Sequence, residues 1–120
     1  MQPTQLIRID YLGGLSAGLA MLLLHPWLAN LYEVPTSLLL ALAAVNLAYG
    51  ATSFTLAQRT RQNIVPGLKA MGIANLTWAL CCLILFKIWL GHSTPFALAH
   101  FLFEGAFVAI LGILEIKSSK

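Results

Sequence analysis

The residues of this chain best equipped for chemistry are few, and they sit among apolar neighbours. Glu104 lies in the run Ser93 to Leu114, which holds no other acid and no Lys or Arg. His100 precedes it by four residues, one helical turn, so the two side chains share a face and can hydrogen-bond or pass a proton. His25, Asn46 and Lys87 bring further polar groups into the first, second and third apolar runs. An ionised side chain at the centre of a bilayer costs about 2.5 to 3.5 kcal/mol on insertion scales, so such a residue is a functional candidate by default. The chemistry open to this set is proton exchange, binding of an ion or small solute, or, for His25 and His100 together, haem ligation or contact with a quinone.

Soluble-enzyme chemistry has no counterpart in the sequence. There is no Walker loop, dinucleotide-binding glycine fingerprint, His-Glu-x-x-His or Cys-x-x-Cys. The glycine-rich stretch Gly13 to Gly18 lies inside an apolar run, where phosphate binding is out of place. Cys81 and Cys82 are adjacent and would point about 100° apart around a helix, so they suit packing better than a metal site or a disulfide. A non-enzymatic protein is expected, with no metal.

The elements that must position these residues are membrane helices. Hydrophobic residues make up 59% of the chain and charged residues 9%, against roughly a quarter charged in soluble domains, and the mean hydropathy is +0.83. With seven basic and four acidic side chains, lipid must cover what polar residues do not. The charges divide the chain into uncharged stretches close to the roughly 20 residues a helix needs to cross hydrocarbon. Runs such as Leu80 to Phe86 do not alternate apolar and polar residues, which argues against barrel strands.

The expected fold is therefore all-α and integral to the membrane, one domain of four transmembrane helices over about residues 10–31, 35–57, 69–91 and 94–116. Pro35, Pro66-Gly67 and His92-Ser93-Thr94-Pro95 mark the turns, with Ser93 or Thr94 capping the last helix and Pro95 in its first turn. Connections this short give an up-down-up-down bundle. The stretch after Arg8 is too long for a signal-peptide core and lacks a small-x-small cleavage site. Trp27, Tyr32, Trp89 and Phe96 read as outer interfacial anchors and Tyr11 as an inner one.

Orientation follows from the cations. Arg8, Arg59, Arg61, Lys69, Lys117 and Lys120, six of the seven, fall on one side of a four-span arrangement. The positive-inside rule places that side, and both termini, in the cytoplasm, with the inner membrane the expected location. This asymmetry and attraction to anionic lipid account for the net charge of +3 without a nucleic-acid partner.

Small residues mark packing faces. Gly14 and Gly18 form a small-x-x-x-small pair on the first helix; Ala43, Asn46, Gly50, Ser53 and Ala57 line the second; Gly72, Asn75, Ala79 and Cys82 line the third. A bundle of four short helices has little interior, so a homo-oligomer or membership of a larger membrane complex is also expected.

Depth brings the chemical residues together. Counted from Thr94, Glu104 lies roughly 15 Å in, and Asn46 reaches a similar depth from Thr36; His25 lies roughly 9 Å from the outer end, level with His100. His25, Lys87, His100 and Glu104 are thus expected to form a polar layer in the outer half of the bundle. Each has a plainer explanation: Lys87 can snorkel to the surface, His25 can sit at a kink beside Pro26, Asn46 can join helices, and Glu104 can be an ion-pair staple with Lys87 or His100. Asp10 and Glu115, near the cytoplasmic ends, read as solvated partners of Arg8 and Lys117.

Size and span number resemble those of the small multidrug-resistance transporters and the dual-topology fluoride channels. The first group relies on a carboxylate in the middle of its first helix, where this chain has Ala17 to Met21, and the second shows weak charge bias. No residue is carried over from either. Two roles stand nearly level: an accessory, assembly or immunity-type protein, and a minimal transporter of an ion or small solute built on Glu104 and His100. A redox subunit binding haem or quinone is the alternative.

The cation count makes a direct prediction. In a background lacking Cys81 and Cys82, single cysteines at Glu33 and Gln62 label oppositely with a membrane-impermeant thiol reagent, and labelling of Gln62 from outside would reverse the orientation.

Overall fold

The computed structural model describes residues 2–59 and 61–120, the side chains of residues 61–63 excepted. Within them the chain is all helical: α1 (Pro3–Tyr32), α2 (Thr36–Ala57), α3 (Arg61–Trp89) and α4 (Pro95–Ser118). All four are long and apolar enough to span a membrane. The longest dimension, 45 Å, is the length of the 30-residue α1 at about 1.5 Å per residue.

Local sequence sets the ends. Pro3 opens α1, where its missing N–H costs nothing, and the Gln5 side chain accepts from the Gln2 N–H at 3.0 Å. Glu33 ends α1 in the left-handed region at φ 55°, letting the Val34 N–H reach Ala29 O at 3.2 Å, and Pro35 then stands extended before α2. At the same end of the molecule Gly91, at φ 82°, turns the chain between α3 and α4. Thr94 precedes Pro95 as expected, but its hydroxyl does not cap its own helix. It donates to Leu31 O at 2.7 Å while its N–H donates to Tyr32 O at 3.0 Å, so the last carbonyls of α1 are satisfied by the start of α4.

Two boundaries differ from expectation. The helices start earlier than the apolar runs: α1 begins at Pro3 rather than near residue 10, and α3 at Arg61 rather than near 69, so Pro66-Gly67 lies inside α3 and is no turn. The physical reason is burial. Leu6 and Ile7 of α1, Leu56 of α2, and Ile64, Leu68 and Met71 of α3 close into one apolar cluster, which offsets the single hydrogen bond that Pro66 removes. The side chains of Arg61 and Gln62 lie outside the described part.

α1 packs mainly on α2, and α3 mainly on α4. Glycines set both seams. A Cβ on Gly14 would stand 2.9 Å from Asn46 O and 3.0 Å from Gly50 Cα, and one on Gly18 would stand 2.6 Å from Leu47 Cγ. Across the other seam a Cβ on Gly112 would stand 2.8 Å from Gly72 O. A second apolar cluster, with Met21, Leu39, Leu42 and Phe101, closes the end near Tyr32. Polar side chains occupy the stretch between the two clusters.

Because backbone meets backbone at these points, Gly14→Leu or Gly112→Leu must push its helix pair apart. Each is expected to destabilise the fold by about 1 to 3 kcal/mol, lowering the thermal midpoint in detergent, whereas Leu83→Ala on the exposed face of α3 changes it little. An unchanged midpoint for Gly14→Leu would contradict the close approach.

Candidate functional site

Glu104 is the centre of the polar stretch. Three uncharged donors from two other helices converge on it. Asn46 Nδ2 on α2 donates to Oε1 at 3.2 Å, while Trp78 Nε1 and Cys82 Sγ on α3 reach Oε2 at 3.0 and 3.5 Å. The spacing of Asn75, Trp78 and Cys82, three then four residues, puts all three on one face of α3. Tyr49 supports that face from α2: its hydroxyl donates to Ala74 O at 3.0 Å and its ring meets Trp78 edge-on.

His100 completes the group. Its Nε2 stands 3.6 Å from Glu104 Oε1, just beyond hydrogen-bond length, and its Nδ1 lies 3.0 Å from the Tyr32 hydroxyl of α1. With Tyr32 donating to Nδ1, the ring carries its hydrogen on Nε2, directed at Glu104. That nitrogen is buried and has no hydrogen-bond partner in the protein.

A cavity of about 580 Å³ runs along the α1/α4 side of this group. Gly13, Gly14 and Ala17 of α1 and Phe103 and Phe107 of α4 line it, the Phe107 ring lying close against Gly13; Tyr32 and His100 lie toward one end, Asn46 and Glu104 along the depth, and Asp10 and Asn75 toward the other end. The walls are apolar and aromatic with a few convergent polar groups, the general make-up of a small-molecule site.

Of the residues expected from the sequence, Glu104, His100 and Asn46 come together. Lys87 and His25 do not join them. Lys87 is exposed, for it lies five residues past Cys82 and so about 140° around α3 from the face that meets Glu104. It is not the partner of an ion-pair staple. His25 Nδ1 instead bonds Leu22 O at 2.7 Å. Pro26 explains this: it lacks the N–H that would have reached that carbonyl, and the neighbouring histidine replaces it. His25 does not line the cavity that His100 lines.

Gly14 and Gly18 face α2, whereas Asn75 does more than pack. It is 1% exposed and bridges two acids, donating to Asp10 at 2.9 Å and to Glu115 at 2.6 Å. The reading of these acids as solvated partners of Arg8 and Lys117 is overturned. Asp10 is 4% and Glu115 0% exposed, with Ser53 donating to Asp10 at 2.7 Å, while Arg8 and Lys117 point outward. The reason lies in the earlier start of α1 and in helical phase. Asp10 shares its face with Gly14, four residues on, and Glu115 lies eleven residues, about three turns, from Glu104.

Trp78, Cys82, Tyr32, Ser53, Asp10 and Glu115 are therefore members that the sequence reading did not single out for chemistry. The signal available was phase, since each lies on the same helical face as a residue already chosen. No protein-family model matches the chain, and neither a curated protein nor a solved structure does.

Proposed function

We propose that the chain is a non-enzymatic, multi-pass membrane protein that binds and moves a small solute through the cavity between α1 and α4. In this reading the four helices cross the cell's inner membrane up-down-up-down with both termini cytoplasmic. Four apolar helices, the six-to-one distribution of Lys and Arg, and outward-facing side chains such as Leu23 and Trp27, 77% and 60% exposed, support it.

One observation carries the solute reading: the cavity leads to a carboxylate that no Lys or Arg neutralises among the described residues. Neutral donors hold Glu104 in place, and only His100 beside it can carry positive charge. An apolar-bodied amine or quaternary cation would set its charge against Glu104 and its body against Phe103 and Phe107. The accessory or assembly role gives the cavity nothing to do. A quinone subunit draws on the partnerless Nε2 of His100, which a carbonyl oxygen could accept from; a carboxylate at the depth of the cavity disfavours that carbonyl.

Protons compete with a cation for the same carboxylate, so binding must weaken as pH falls. With tetraalkylammonium ions of graded size as probes and tryptophan fluorescence, to which Trp78 beside Glu104 contributes, as readout, the purified protein is expected to give saturable binding that is weaker at low pH. Glu104→Gln is expected to lower affinity at least tenfold and to remove the pH dependence while the protein stays folded. Equal binding by Glu104→Gln, or no saturable binding of any probe by the unaltered protein, would defeat the proposal.

A further inference from the structure

We propose that Asp10 and Glu115 form a second site, which binds one exchangeable proton between their carboxyl groups at the end of the cavity remote from Tyr32. Each helix contributes one side chain: Asp10 from α1, Ser53 from α2, Asn75 from α3 and Glu115 from α4. The donors are fully used. Asn75 has two amide hydrogens, and they go to Asp10 Oδ2 and Glu115 Oε1. Ser53 has one, and it goes to Asp10 Oδ1. Of the four carboxyl oxygens, Glu115 Oε2 alone is buried with no donor.

Among the described residues the surroundings supply no positive charge. On α1 the ionisable group facing the pair is Asp10 itself. On α2 it is Tyr49, whose hydroxyl is committed to Ala74 O. On α3, Lys69 is exposed, and on α4, Lys117 is exposed, as are Arg8 and Arg59 at the ends of α1 and α2. Glu104 and His100 lie about 16 Å or more away along α4. Two carboxylates on one amide, with no cation among the described residues, repel each other at close range.

Asp10 Oδ2 and Glu115 Oε1 sit on one amide nitrogen, Asn75 Nδ2, at 2.9 and 2.6 Å, so the two carboxyl groups stand side by side. One proton on Glu115 Oε2 therefore supplies the missing donor, bonds Asp10, and removes half of the charge. The proton comes from water and returns to it with no other bond made or broken. Asp10 lines the cavity, which gives the proton its route. Because the four donors and acceptors come from four helices, uptake or release acts on the whole bundle. The proton site stands independently of any solute at Glu104.

Infrared spectroscopy of the full chain in detergent, in H₂O and D₂O, reads this proton directly. The expected result is the carbonyl band of a hydrogen-bonded carboxylic acid, sensitive to deuteration and shifted by ¹³C-carboxyl labelling of Glu or Asp. Glu115→Gln, whose amide can donate to Asp10 in place of the proton, is expected to abolish the band and to release one proton fewer per chain on alkalinisation. Glu104→Gln is expected to keep it. The labelling arm needs no substitution, so a poorly folding variant leaves the question decided. Absence of the band in the unaltered protein, or a band that survives Glu115→Gln and is lost in Glu104→Gln, would overturn the proposal. Failure of the tetraalkylammonium probes to bind, with the band intact, would defeat the solute reading alone.

Discussion

A buried acid without a cation must be compensated by neutral donors, by a proton, or by a ligand, and the arrangement of this bundle follows from that constraint. Asp10, Glu104 and Glu115 are enclosed, and no Lys or Arg among the described residues reaches them. Short, rigid donors take the place of charge: Asn46, Trp78 and Cys82 at one level, Ser53 and Asn75 at the other. Side chains as short as Asn and Ser span the gap between helices only when backbones are close. Within the pairs, for Ser53 on Asp10 and Asn75 on Glu115, the glycines at 14, 50, 72 and 112 bring them close.

Two kinds of contact thus divide the work. Small residues join α1 to α2 and α3 to α4, where backbones touch. Between the two apolar clusters at the bundle's ends, polar bonds join the two pairs: Asp10 with Asn75, Asn46 with Glu104, and Tyr32 with His100, while Thr94 bonds the end of α1. In hydrocarbon such interhelical bonds contribute about 0.6 kcal/mol on average and up to about 1.7, so this joint is weaker than a closely packed seam. The cavity lies along it. A proton or solute that changes any of these groups therefore bears on the joint between the two helix pairs.

Helix number and type were legible in the sequence because four apolar runs leave no other way to satisfy the backbone. Glu104, His100 and Asn46 were legible because depth along a helix is a simple count from its end. Phase was harder to read. Lys87 had the right depth and the wrong face, and His25 had the right depth but was taken up by the carbonyl that Pro26 leaves free. Asp10 and Glu115 were misread since each stands close to a cation in sequence. Arg8 is two residues from Asp10 and Lys117 two from Glu115, a spacing of about 200° that sends each pair to opposite sides of its helix. The helical starts at Pro3 and Arg61 were hidden by polar residues and by Pro66, which local signals read as loop and tertiary packing turned into helix.

The account's central claim is that neutral donors, and not Lys87, hold Glu104. Thermal unfolding in detergent of Asn46→Leu, Lys87→Met and Glu104→Gln, singly and in the two pairs that include Glu104, measures this directly. A coupling of about 0.6 to 1.7 kcal/mol between Asn46 and Glu104, the range for interhelical hydrogen bonds, with none between Lys87 and Glu104, is the expected result. Strong coupling of Lys87 to Glu104, with Asn46 behaving independently, would contradict it.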